Sequence, residues 1–190
     1  MPDSNWKIHK FGGSSLADAD CFRRVAGILL SYEDSRMGIV VSAMGGMTDA
    51  LIDLALTAER DDAAYEASLH AIGERYSQTA RALLEGAFLT DVLDAWSKDA
   101  VDVIDVLKAI ALVKSAPQRS RDVVAGYGEI WSARLLAAYL GQEAPGRGGT
   151  WVDARSVVTV RDAELGPTVL WSESQSKMDK ALPADYQGIA

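Results

Sequence analysis

Met37-Gly38-Ile39-Val40-Val41-Ser42-Ala43-Met44-Gly45-Gly46-Met47-Thr48-Asp49 is the stretch that decides the architecture. Met37 to Val41 is a continuous apolar run bounded by Arg36 and Ser42, and a strand that is apolar on both sides reads as a buried parallel strand. Gly45-Gly46 then break the chain. Thr48 is placed to cap a helix that runs through Leu51, Ile52, Leu54 and Ala55. The order is strand, glycine turn, helix.

The same order occurs just upstream. Trp6 to Phe11 reads as a short strand ended by Gly12-Gly13. Ser15 and Asp18 have the spacing of a capping box, and Phe22, Val25, Ala26, Leu29 and Leu30 recur at helical intervals. Two such units in succession predict an α/β opening with a parallel-rich sheet.

The middle of the chain has another pattern. Tyr65, Leu69, Ile72, Tyr76 and Leu83 fall on one helical face, and so do Leu89, Leu93, Trp96, Ala100, Val103, Leu107 and Ile110. With Gly86 between them, the two sets predict an antiparallel helical hairpin over about residues 61–115. Beyond Pro117, Arg119 to Leu140 is helical in pattern, with Gly126-Tyr127-Gly128 expected to interrupt it. Trp151-Val152 and Thr168 to Trp171 read as short strands. Ser172 to Leu182 reads as a helix capped by Ser172, and Gly188-Ile189-Ala190 as the start of a strand.

Composition narrows the function classes. The chain has 190 residues, of which 48% are apolar and 24% charged, enough to bury a core in one domain or one and a half. Cys21 is the single cysteine, which excludes a disulfide scaffold and fits a reducing cytoplasm. No apolar run approaches the ~20 residues that span a bilayer. Met1 to Lys10 lacks the apolar centre of a signal peptide. A pI near 4.7 argues against nucleic-acid binding, which needs a basic footprint. Of the net charge of -8, -6 falls in residues 51–115, with 6 basic and 12 acidic side chains. That acidity is the solvated face of a structural hairpin or an acidic binding surface.

Four short segments could carry chemistry. In Lys10-Phe11-Gly12-Gly13-Ser14-Ser15 a lysine ends a strand, two glycines follow, and a helix begins. Glycines let backbone N–H groups approach an anion, the helix dipole favours it, and the lysine adds a formal charge. The plain alternative is a turn beside an exposed lysine. Ser42 to Asp49 repeats the arrangement after the second strand, and ligands of open α/β sheets bind at the carboxyl ends of strands. Here Thr48 is a hydroxyl donor or only an N-cap. Glu129, beside Gly126-Tyr127-Gly128, could hold a cation such as an ammonium group or be a surface glutamate. Asp153 of Trp151-Val152-Asp153-Ala154-Arg155 could steer a lysine or substrate, or form a surface pair with Arg155. His9 and His70 are too isolated to suggest a metal site.

Jointly these segments resemble the aspartate kinases of the amino acid kinase family. Lys10 to Ser15, Val40 to Asp49, Gly128-Glu129 and Trp151 to Arg155 occur in the family's order. Ser14 stands where the family usually has threonine, and Val157 to Asp162 departs from an apolar stretch ending in Thr-Asp. The resemblance implies a three-layer fold with a parallel-rich sheet and an inserted hairpin. It implies phosphotransfer from ATP, with Mg as its counterion, to the side-chain carboxylate of L-aspartate, the first step towards lysine, threonine and methionine. Lys10 would be catalytic; Gly12, Gly13, Ser14, Gly45 and Gly46 would line the phosphate path with it. Ser42, Thr48 and Glu129 would bind aspartate, with Asp153 in support and no resident metal. A cytoplasmic, homo-oligomeric parent enzyme is expected, with no nucleic-acid or membrane partner. Residues 1–190 would be the aspartate-binding part of a longer catalytic domain, inactive alone. Another amino acid kinase and a non-catalytic assembly module are the alternatives.

Overall fold

Lys7–Phe11 forms β1 and Arg36–Val41 forms β2, parallel, with Lys7 opposite Met37 and Phe11 opposite Val41. They belong to a computed structural model that describes residues 6–33, 36–60, 64–164 and 166–190. Parallel strands need a crossover, and α1, Ala19–Leu30, supplies it. A 3-10 turn, Gly13–Leu16, precedes α1, and Ser15 N–H donates within it to Gly12 O at 3.0 Å. The Ser15–Asp18 capping box therefore does not form. Asp18 is the N-cap, accepting from Cys21 N–H at 2.9 Å, and that bond lowers its pKa.

The second unit closes in the same way. α2, Met47–Arg60, begins one residue before Thr48, so Thr48 lies in its first turn and is not the cap. Gly46 just before it has φ 74°, a conformation that glycine takes without strain. β5, Gly188–Ile189, pairs parallel with the other edge of β2, giving the order β1-β2-β5. Met37, Ile39 and Val41 of β2 pack into the core, whereas Ile8 and Val40 on the opposite face are 63% and 54% exposed.

The predicted hairpin is α3, Ala64–Leu83, and α4, Gly86–Val113. Its expected start falls on residues 61–63, outside the described residues. Gln142 clasps the connection, accepting from Glu85 N–H at 2.9 Å and donating to Leu83 O at 3.0 Å. α5, Gln118–Glu143, packs on α2 and α4 and runs unbroken through Gly126-Tyr127-Gly128. A glycine costs about 1 kcal/mol in a helix interior, and the burial of α5 outweighs it. Trp131, Tyr76 and Trp96 meet between α3, α4 and α5 at ring-centroid distances of 5.8 to 6.3 Å. Gly73 makes room for them, because a Cβ there would stand 2.4 Å from the Trp96 ring.

Trp151-Val152 does not form a strand. Asp153 caps the short helix α6, Ala154–Val157, and the Trp151 ring stacks under Arg134, 4.6 Å from its centroid. β3, Val160–Arg161, and β4, Thr168–Val169, make a small antiparallel pair. α7, Trp171–Ala181, follows, starting one residue ahead of the expected Ser172 cap. Among the described residues no helix is long and apolar enough to cross a membrane.

Candidate functional site

β1 and β2 end side by side, and each leads directly into a glycine turn. Ser42 N–H donates to Phe11 O at 3.0 Å, which keeps the two strand ends in step. The turns then pack backbone against backbone. A Cβ at Gly13 would stand 2.9 Å from Ala43 O, and one at Gly45 would stand 3.3 Å from both Gly13 O and Ala17 Cβ. Neither position tolerates a side chain without moving main chain. Gly12 and Gly46, by contrast, face open space, with nothing within 4 Å of where a Cβ would lie. The result is a ridge of closely packed main chain, with two glycines on it whose side-chain positions are open.

The charged candidates flank this ridge. Lys10 sits opposite Val40 near the end of β1, exposed, on the strand face it shares with Ile8. Glu129 lies half-buried on α5. Its neighbour Gly128 sets its position: a Cβ at Gly128 would stand 2.8 Å from Ala43 Cβ and 3.4 Å from Met47 Cγ, so α5 rests on the second turn. Among the described residues no hydrogen bond or ion pair engages the Lys10 ammonium or the Glu129 carboxylate. Ser42 and Thr48 are half-buried and Ser14 is exposed. Glu129 lines a groove of about 1410 Å³ together with Val40, Val41, Gly126, Asp153 and Arg155.

Asp153 is placed on that groove but is already engaged. Its oxygens accept from Arg155 Nε at 3.0 and 3.1 Å, from Arg155 Nη2 at 2.7 Å and from Arg155 N–H at 2.9 Å. The Arg155 guanidinium holds the carboxyl below the usual carboxylate range. Arg155 in turn lies 5.6 Å over the Tyr127 ring, and Tyr127 O–H donates to Asp102 of α4 at 3.3 Å. The structure thus brings Lys10, Gly12, Gly13, Ser14, Ser42, Gly45, Gly46, Thr48 and Glu129 to one end of the strands. Asp153 it ties to Arg155 along the groove wall.

Sequence reasoning passed over Arg75. Its Nη2 donates to Gly45 O at 2.6 Å and to Ala17 O at 3.2 Å, one carbonyl from each turn region. The only mark in the sequence is its place three residues after Ile72, at the border of the apolar stripe of α3. It also passed over the Asp99–Arg134 pair, 2.6 Å apart, whose carboxylate accepts from Trp131 Nε1 at 3.1 Å.

The model of the amino acid kinase family matches residues 5–184. A chloroplastic bifunctional aspartokinase/homoserine dehydrogenase of Daucus carota is 34% identical over 178 residues, 92% of this chain and 19% of that protein. Bifunctional aspartokinase/homoserine dehydrogenase 2 of Escherichia coli (strain K12) is 34% identical over 157 residues, 83% of this chain and 18% of that protein. E. coli aspartokinase III, solved in complex with aspartate and ADP, superposes with a TM-score of 0.79 at 23% identity, over 96% of this chain and 39% of that one. The same enzyme solved with lysine and aspartate also gives 0.79, at 20% identity over 98% of this chain and 40% of that one. The fold is therefore that of these aspartokinases. The chain spans about a fifth of the length of the curated relatives and about two fifths of the solved one.

Proposed function

The chain belongs to the amino acid kinase family, and on that premise we propose that it carries the aspartate-binding part of an aspartate kinase. In the reaction an oxygen of the aspartate side chain attacks the γ-phosphorus of ATP, the bond to the β,γ-bridging oxygen breaks, and ADP leaves. The nucleophile is already an anion at neutral pH, so no base is needed. What the reaction needs is positioning and neutralisation of charge on the transferring group. Lys10 supplies the charge. Gly12, Gly13, Ser14, Gly45 and Gly46 line the phosphate path, and Mg arrives with ATP. Glu129 faces the ammonium of aspartate, while the hydroxyls of Ser42 and Thr48 reach its carboxylates. Asp153 acts through Arg155, by holding that side chain on the groove wall. The packing of the two glycine turns, with Lys10 and Glu129 flanking them unpaired among the described residues, supports this reading.

The activity is assigned to a longer, homo-oligomeric protein of the cytoplasm, at the entry to lysine, threonine and methionine synthesis. The 190 residues alone are expected to produce no aspartate-dependent ADP. Calorimetric titration of the chain with L-aspartate and L-glutamate tests the site. Aspartate should bind more tightly, and Glu129→Ala should abolish the heat. Preference for glutamate, or aspartate binding indifferent to Glu129→Ala, would overturn the assignment. In a full-length protein containing these residues, Lys10→Ala should lower turnover on the order of 100-fold.

A further inference from the structure

We propose that Arg75, on the α3–α4 hairpin, is a positioning residue that holds the two glycine turns in register with each other for phosphate. The proposal rests on the phosphate reading of those turns. Arg75 Nη2 is shared between Gly45 O at 2.6 Å and Ala17 O at 3.2 Å. Two main-chain carbonyls from separate segments converge on one guanidinium nitrogen. Without a cation between them their oxygens would repel one another. Among the described residues no carboxylate pairs with Arg75, so its charge is spent on these carbonyls. Its stem is fixed by α3, where Ile72 and Tyr76 on either side of it are buried.

The bond to Gly45 O has an effect on the far side of the same peptide. In a trans peptide the C=O and the following N–H point in opposite directions. Arg75 pulls on the Gly45 carbonyl, which polarises the unit and strengthens the Gly46 N–H as a donor. That N–H points away from Arg75, and Gly46 is exposed, with nothing within 4 Å of where a Cβ would lie. A half-buried cation behind the ridge therefore favours an anion in front of it twice: through the polarised amide and through its own field. The hairpin, by this geometry, is tied to the phosphate site by way of α3.

The test uses Arg75→Met and Arg75→Lys in the 190-residue chain, with amide hydrogen exchange and titration of inorganic tripolyphosphate. The amides to follow are those of Ser15, Ser42 and Met47, which bond to Gly12 O, Phe11 O and Met44 O. Amides in the middle of α4 report on the global fold. Arg75→Met should speed exchange at the three turn amides tenfold or more, leave α4 unchanged, and weaken tripolyphosphate binding about tenfold. Arg75→Lys, which keeps the charge and loses the fork, should lie between. Exchange at the turns equal to wild type in Arg75→Met would overturn the proposal. If Arg75→Met also loosens α4, Arg75→Lys decides: faster exchange confined to the turns supports the role, and wild-type exchange refutes it. Wild-type protein that binds no tripolyphosphate, with turns that loosen in the variant, would sink the phosphate reading and leave the clamp standing.

Discussion

Gly126 and Gly128 sit one turn-half apart on α5 and answer to opposite demands. A Cβ at Gly126 meets nothing within 4 Å, whereas one at Gly128 would press to 2.8 Å from Ala43 Cβ. Gly126→Ala should therefore stabilise the chain by up to about 1 kcal/mol, the helix-propensity difference. Gly128→Ala gains the same propensity but overpacks a tight contact, at about 1–3 kcal/mol, and should be net destabilising. Urea midpoints of the two variants check the signs. This pair also shows what single residues reveal in a sequence. Read locally, two glycines in three positions mean a break. The continuity of the helix was not legible, because burial of α5 on α2 and α4 overrides propensity. Lys10 and Glu129 stood out as candidates because each is a formal charge within two residues of a glycine. Arg75 was not, because its partners are carbonyls, which every residue has.

At the scale of elements, β2 follows from its continuous apolar run, β1 from the glycines that end it, and the α3–α4 hairpin from apolar periodicity with Gly86 between its two sets. Trp151-Val152 misled for a physical reason: the Trp151 ring is used by Arg134 instead of by a strand neighbour, and Asp153 starts a helix. The acidity of the hairpin also divides. Asp91, Asp94 and Asp105 are exposed, as expected of a solvated face, but Asp99 is buried against Arg134 and Trp131. Removing one partner of such a pair leaves the other desolvated. Asp99→Ala should cost about 3–5 kcal/mol by chemical denaturation. Asp99→Ala combined with Arg134→Met should recover part of that loss, and strict additivity of the two single variants would contradict the pairing.

For the whole molecule, the buried aromatic centre sets an alkaline limit. Burial pushes Tyr76 well above the ordinary tyrosine pKa, and burial raises Tyr127 and Tyr139 in the same direction. The folded state therefore keeps phenol protons that the unfolded chain gives up at about pH 10. Above that pH the unfolded state binds fewer protons, so stability falls as pH rises; below it the contribution is fully present. Urea midpoints should hold between pH 8 and 9 and drop from about pH 10 upward. Tyr76→Phe should make the drop shallower, and an equally steep drop in that variant would remove Tyr76 as its source.

β5 carries a consequence for how the chain reaches this structure. Met37 pairs with Ile189, about 150 residues away, while β1 and β2 meet across a single crossover. The entropy of closing a loop grows with its length, and contacts between distant residues come late and slow folding. The helices from α2 to α5 pack on one another without help from β5 and can assemble beforehand. The third strand is therefore the closing step of a search, added to a framework of two strands and packed helices already able to hold the glycine turns together.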